Sequence, residues 1–402
     1  TLIDGTGMAP TADSTVIVEN GRVTAVGPRA QVKLPEGAAV VDARGKWVIP
    51  GLWDMHAHYV QVEWGPAYLA AGVTTARDCG NDFDFIVPVR DAIKSGRIHG
   101  PRLLLAGYVD GEGPEGLGSI RASTVEQGRA IVNRYKNAGF EQIKIYGNAT
   151  MKPEVIRSII AEAHRLGMTV TGHIPRGMNA IQAVEAGYDQ INHIGFLFPL
   201  MRPKDAKSRQ GMDLNSAEAK QAIQFFKERG TVIEPTLSRF EFNTHPIDTP
   251  FSVIEPGAGK APRELADIFN NTGLPSADAE RVRAREGQTY ALLRALHEAG
   301  IPIVPGIDLA VPGHSLHREL ELYVKAGLTP MEAIQTATIT SARAMRLDKE
   351  LGTVEAGKRA DLVILDANPL EAISNIRKVR WVVSEGRMYE AAPLWQSVGF
   401  QP

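Results

Sequence analysis

The chain has 402 residues, enough for one large barrel with an accessory domain, and its 44% hydrophobic and 22% charged content is that of an ordinary globular protein. A formal net charge of −2 argues against a nucleic-acid or anionic-membrane partner, both of which favour a basic surface. Cys79 is the only cysteine, which excludes an intrachain disulfide and a thiolate metal cluster, and no apolar run approaches the roughly 20 residues of a membrane span.

Thr1 opens the chain inside what reads as a strand, so an upstream segment is expected, and both a cytoplasmic and an exported location stay open. Ser14 to Glu19, Arg22 to Gly27 and Ala39 to Asp42 are β-rich runs, and Asn20-Gly21 is a hairpin turn. Trp47 to Trp53 reads as a buried strand. From Gly51 the rhythm changes to strand, loop and amphipathic helix. Eight strands are expected: Leu52 to His58, Val73 to Cys79, Arg102 to Asp110, Gln142 to Asn148, Thr169 to Ile174, Gln190 to Phe196, Thr231 to Leu237 and Ile301 to Asp308. Helices are expected at Asp82 to Gly96, Thr124 to Ala138, Pro153 to Leu166, Ala217 to Glu228 and Ala279 to Ala299. Such alternation predicts a parallel sheet, and eight units close a (β/α)8 TIM barrel over residues 51–347.

Ser238 to Asp278 is a long excursion, expected to be a functional lid or a disordered segment. Beyond Leu347 strands return at Leu362 to Leu365 and Val379 to Ser384, with Glu385-Gly386 as a turn. Residues 1–50 and 348–402 are therefore expected to form one small composite β-sandwich domain.

Candidate chemistry lies at the strand ends. In a strand, residues two apart share a face, so Asp54, His56 and His58 point together and the two imidazoles could grip one metal ion. Lys144, His173, His193 and Asp308 stand at or near the ends of four further strands, the end at which such barrels place their active sites. Singly, each is more often structural. Together they are hard to explain as packing, and buried lysine and aspartate are costly without partners.

The ordered motifs LIDGTG, VIPGLWDMHAH, AGVTTARDCG, QIKIYGN, VTGHIP, INHIG, PGIDLAVPGHSLHREL and GTVEAGKRADLVILD span essentially the whole chain. With them the chain resembles the metal-dependent amidohydrolase superfamily, nearest its Xaa-Pro dipeptidase and imidazolonepropionase-like branch. It departs at Gly306-Ile307-Asp308, where relatives commonly carry Gly-Thr-Asp, and in a short first loop, Tyr59 to Pro66. The resemblance implies two divalent ions, usually zinc. His56, His58 and Asp308 would hold the more buried ion, and His173 with His193 the more exposed one. Lys144 would bridge them as a CO2-derived carbamate. A snorkelling Lys144 amine would instead leave a site for one ion.

The implied reaction is hydrolysis of an amide or peptide C–N bond by a metal-bridging hydroxide, with Asp308 as the catalytic acid–base. Dipeptides or N-acyl amino acids are the expected small-molecule substrates. A cyclic amide, urea, lactone or deamination substrate is the alternative, and a non-catalytic barrel a third reading. Tyr146, Arg176, Trp64 and His314 are candidate substrate-binding residues, with Arg176 offering a fork for a carboxylate. A homo-oligomer is expected.

Overall fold

The computed structural model describes residues 1–117, 120–203 and 211–402. It opens with an antiparallel hairpin, β1 (Ser14–Glu19) and β2 (Arg22–Pro28). Asn20 and Gly21 close it with φ of 51° and 74°, and positive φ at both central turn residues matches the twist of the flanking strands. Ala39 to Asp42 is not a strand. It has no sheet partner, and Val40 and Val41 stand out in solvent.

The apolar run from Trp47 to Trp53 divides between two sheets. Trp47–Pro50 forms β3 and Leu52–Ala57 forms β4. Gly51 is the joint, because a Cβ there would lie 2.1 Å from Thr74 Oγ1. Its N–H donates to the Asp361 carbonyl at 2.8 Å, which ties the joint to the C-terminal part of the chain.

β4 begins a five-stranded parallel sheet with β5 (Val73–Asp78), β6 (Arg102–Val109), β7 (Gln142–Ile145) and β8 (Thr169–Gly172), paired in that order. β9 (Gln190–Asn192) and β10 (Val232–Glu234) form a parallel pair. Between the strands run helices that turn one face inward. In Pro153–Arg165, proline opens the helix, and Val155, Ile156, Ile159, Ile160 and Ala163 are buried at helical spacing.

The parallel strands curl. Asp189 N–H reaches the Val170 carbonyl, and Ile233 N–H reaches that of Pro302, at 3.0 and 2.9 Å. Residues 301–308 make only an isolated bridge, Ile233 with Ile303, where a full strand was expected. The segment is nonetheless held on its other side by β4, through Met55 N–H to Pro305 O and Asp308 N–H to His56 O, both 2.8 Å.

Two expected strands end early for a local reason. His193 and Thr236 have φ of 63° and 53°, which takes the backbone out of the extended region. The helical segments Ile194–Met201 and Leu237–Thr244 follow them directly. The long excursion is not disordered, since it carries the helices Arg263–Asn270 and Ser276–Arg283. Arg377 anchors it by pairing with the buried Glu255 (2.8 Å) and with Glu321 (2.6 Å). The expected helix from Ala279 to Ala299 is broken, its second part being Glu286–Glu298.

Beyond the last turns, β11 (Leu362–Leu365), β12 (Val379–Ser384) and β13 (Arg387–Glu390) join β3 in an antiparallel sheet of order β13-β12-β11-β3. Both ends of the chain thus build one sheet. The β1–β2 hairpin packs on it through Val23, Val354, Ala360 and Leu362. A C-terminal helix, Ala391–Ser397, was not anticipated; its Trp395 stacks on His314 at 4.1 Å.

Gly51→Ala is expected to destabilise the fold by about 1–3 kcal/mol, the usual cost of overpacking, because the methyl group meets the buried Thr74. Chemical denaturation of the two proteins measures it.

Candidate metal centre

β4 delivers His56 at its end and His58 just beyond, with ring centroids 5.2 Å apart. The buried Asp54 stays behind them and accepts from the backbone N–H groups of His56 (3.0 Å) and Ile307 (3.3 Å), fastening β4 to residues 301–308. Burial pushes its carboxyl up to about 7. The left-handed turn at Asp308 (φ 42°) then brings that carboxylate back over the histidines. Asp308 Oδ1 lies 3.2 Å from His58 Nε2 and 3.7 Å from His56 Nε2, while Oδ2 lies 3.8 Å from His193 Nε2. His173, after β8, faces His193 with their Nε2 atoms 3.0 Å apart.

Three of the four imidazoles are fixed from behind. His58 Nδ1 bonds to the Gly80 carbonyl at 2.9 Å, His193 Nδ1 to Thr236 Oγ1 at 2.7 Å, and His56 Nδ1 to Glu234. Each therefore turns Nε2 into the common space, as metal-ligating histidines do. His56, His193 and Asp308 offer ligand atoms all within 4.8 Å of one another, a group able to hold a metal ion. His56 Nε2 is buried with no hydrogen-bond partner.

Lys144 on β7 is wholly buried, its Nζ 5.1 Å from the centroid of the Tyr146 ring and likewise without a hydrogen-bond partner. Burial holds the amine below the usual lysine range. Burial, reinforced by the neighbouring Lys144, also lowers His56, His173 and His193, the last to about 4. For Asp308, burial opposes ionisation, but the surrounding imidazoles override it and hold the carboxyl well below its usual range. For His58, burial lowers the imidazole but its bond to the Asp308 carboxylate overrides this and raises it, so the neutral imidazoles beside ionised Asp308, the states that bind divalent cations, are His56, His173 and His193.

A second, deeper network supports the first. Glu234, at the end of β10, bonds His56 on one side and the Arg77 guanidinium on the other, and all three are buried. Arg77 also donates to Gln142 (2.8 Å) and to Gln190. Neither Arg77 nor Glu234 was singled out from the sequence. The signal was present: each is a charged residue in an expected strand, a place where burial is costly unless the charge is paired. Cys79 also approaches His56 and Glu234, but burial pushes its thiol up to about 12 and keeps it protonated.

The substrate-side candidates separate. Tyr146 stands edge-on to His173 with centroids 4.8 Å apart, and Phe196 lies 5.5 Å from the same ring. Arg176 projects into solvent and pairs with the exposed Glu115 at 2.8 Å. Trp64 is buried at the start of the helix Trp64–Ala70. His314 is buried between Trp395 and Phe400, and these contacts do not reach the cluster. Arg239, which the sequence reading passed over, is half-buried and donates to the Leu309 carbonyl at 3.2 Å. Its charge acts on both Asp308 and His193.

The Amidohydrolase family profile matches residues 47–388. The chain belongs to the amidohydrolase family. Among curated relatives, the imidazolonepropionase of Geobacillus kaustophilus is 26% identical over 432 residues, covering 94% of this chain and 92% of the relative. Ochratoxinase from Aspergillus niger is 22% identical over 84% of this chain, and the chain spans only 62% of that protein's length. Two solved structures superpose over nearly full length. A putative prolidase from Bifidobacterium longum gives a TM-score of 0.72 at 26% identity, covering 99% of this chain and 97% of that one. A Xaa-Pro dipeptidase with bound methionine gives 0.72 at 24%, covering 97% and 98%.

If the cluster binds a divalent ion, Glu234→Gln is expected to weaken that binding about 10- to 100-fold, because the His56 ring loses the carboxylate that orients it. Competition with a chromogenic chelator on metal-stripped protein measures this without an activity assay. Arg77→Met should cost more in stability, about 3–5 kcal/mol, since it leaves the Glu234 carboxylate buried without its cation.

Proposed function

We propose that the chain is a metal-dependent hydrolase that cleaves the C–N bond of a dipeptide or N-acyl amino acid with a free carboxyl end. The observation that carries this reading is the convergence of His56, His58, His173 and His193 on Asp308 beside an unpartnered buried lysine. Membership of the amidohydrolase family, whose members hydrolyse C–N bonds, supports it. So do its structural likenesses to a Xaa-Pro dipeptidase and a putative prolidase. On the same reading the curled sheet is a closed (β/α)8 barrel over residues 51–347, and the terminal strands form a composite sandwich domain.

His56, His58 and Asp308 would hold an inner ion, and His173 with His193 an outer one. Zinc suits this mixture of imidazole and oxygen ligands. Lys144, which burial favours as the neutral amine, would add to the carbon of CO2 and release one proton, giving a carbamate whose anionic oxygens would serve as a further metal ligand. Bound there, the ions would supply a Lewis acid and a water acidified to a pKa of about 7.

The chain's own residues do the rest. Ionised Asp308 accepts the proton of the attacking water and returns it to the leaving nitrogen. Tyr146, which burial keeps protonated, offers its hydroxyl to the substrate carbonyl. Phe196 supplies an apolar surface beside His173. For the substrate carboxylate, Arg239 is better placed than Arg176, since its charge acts on Asp308 while Arg176 is occupied by Glu115 at the surface.

A panel of dipeptides and N-acyl amino acids, each compared with its C-terminal amide, tests the assignment. Free acids should be preferred, and Arg239→Met should raise their KM roughly tenfold while leaving the amides unchanged. Equal cleavage of acids and amides would favour a neutral cyclic amide, urea or lactone instead. Asp308→Asn should lower kcat by about 10²- to 10⁴-fold. Intact-mass measurement under native conditions should find one CO2 on the wild-type chain and none on Lys144→Ala.

A further inference from the structure

A cavity of about 530 Å3 opens at the opposite end of the parallel strands from the metal centre, and its volume is in the range of small-molecule sites. Its floor includes Thr169 and Gln190, the first residues of β8 and β9, whereas His173 and His193 follow the last residues of the same strands. At ~3.3 Å per residue, even these short strands hold the two places roughly 10 Å apart. A ligand in this cavity would not occupy the place of the substrate.

Charge indicates what such a ligand must be. Arg229, Arg343 and Arg346 stand exposed around the cavity. Among the described residues none of the three forms an ion pair, and Arg229 makes only a stacking contact over Phe225 at 5.4 Å. Asp189 is the only acid in the lining, and it is already engaged by His164 (2.9 Å) and by the Val170 N–H (2.7 Å). In a chain of net charge −2 this is a local excess of positive charge.

Arg346 adds a second observation. Its φ is 60°, just past the helix Ser341–Ala344, at a position where glycine is the ordinary residue. Arg229 and Arg343 lie in the last turns of helices, where a cation also complements the helix dipole. That role makes no demand on Arg346, which lies outside the helix. Tyr188 and Pro302 supply apolar wall.

We propose that this cavity binds a small organic dianion, its charged group held by Arg343 and Arg346 and its apolar body against Tyr188 and Pro302. A phosphate ester and a dicarboxylate share this chemistry, so phenyl phosphate and phenylsuccinate are the two probes. Each is titrated calorimetrically into the metal-loaded chain, and hydrogen–deuterium exchange of the wild type maps where the probe protects the backbone.

Saturable binding of at least one probe is expected, weakened by rising ionic strength and with protection at residues 187–190 and 340–346. The better-bound probe identifies the anion class. The double variant Arg343→Met/Arg346→Met should bind about 100-fold more weakly, tenfold for each arginine. Arg294→Met, which removes an exposed arginine paired with Glu298 elsewhere, should bind normally. Absence of binding by either probe, protection confined to the metal centre, or unchanged affinity in the double variant would overturn the proposal. The exchange map on the wild type decides the question even if the double variant fails to fold.

Discussion

Glu234 is the group on which the interior depends. Its carboxylate sits between the Arg77 guanidinium and the His56 imidazole, entirely out of solvent. An ionised carboxylate in that position would be intolerable without both partners: burial pushes the carboxyl up, and the Arg77 guanidinium is the main influence that opposes it. Glu234 stands on β10 and its partners on β4 and β5, and Arg77 extends the network to Gln142 on β7 and Gln190 on β9. One cluster of polar side chains therefore fixes how five strands face one another. Hydrophobic packing alone would set their spacing without fixing their rotation.

The same cluster links fold to chemistry. His56 can present Nε2 towards Asp308 because Glu234 holds Nδ1. His58 and His193 are held by a backbone carbonyl and a hydroxyl, neutral acceptors that orient the ring without adding charge. Of these three histidines, the most buried has the anionic support, while those nearer solvent have neutral support. Buried Glu319 completes the arrangement on the far side. It accepts from the N–H groups of Leu237 (2.9 Å) and Ser238 (2.6 Å), and so fixes the turn from which Thr236 reaches His193.

The terminal strands serve this core indirectly. β3 belongs to the antiparallel sheet, and Gly51 passes the chain without a gap into β4, so the sheet made by the two chain ends sets where β4 begins. Arg102, at the start of β6, pairs with Asp361 at 2.7 Å beside β11, a second tether between the sheets. These contacts place the start of the parallel sheet. The candidate ligands lie at the other ends of the strands, where His193 and Asp308 are free to sit on turns with positive φ.

The sequence by itself determined the alternation of strands and helices, the hairpin at Asn20-Gly21 and the candidate ligands. Those features are written in local patterns: period-two and period-3.6 burial, turn-forming pairs, and polar residues at the ends of apolar runs. It also carried enough motif to identify the family. What it could not supply were features that depend on a distant partner. Ala39 to Asp42 has the composition of a strand but no neighbour to pair with, and Trp47 to Trp53 is one apolar run whose halves enter different sheets. The positive φ of His193, Thr236 and Asp308 goes with contacts to other segments at the ends of the curled sheet, so strand periodicity ran past it. Arg176 and Arg239 look alike as loop arginines, and only the surface partner of one and the approach of the other to Asp308 tell them apart. Arg77 and Glu234 became legible as a pair only in three dimensions, because a sequence separation of 157 leaves no local trace of a contact made across the sheet.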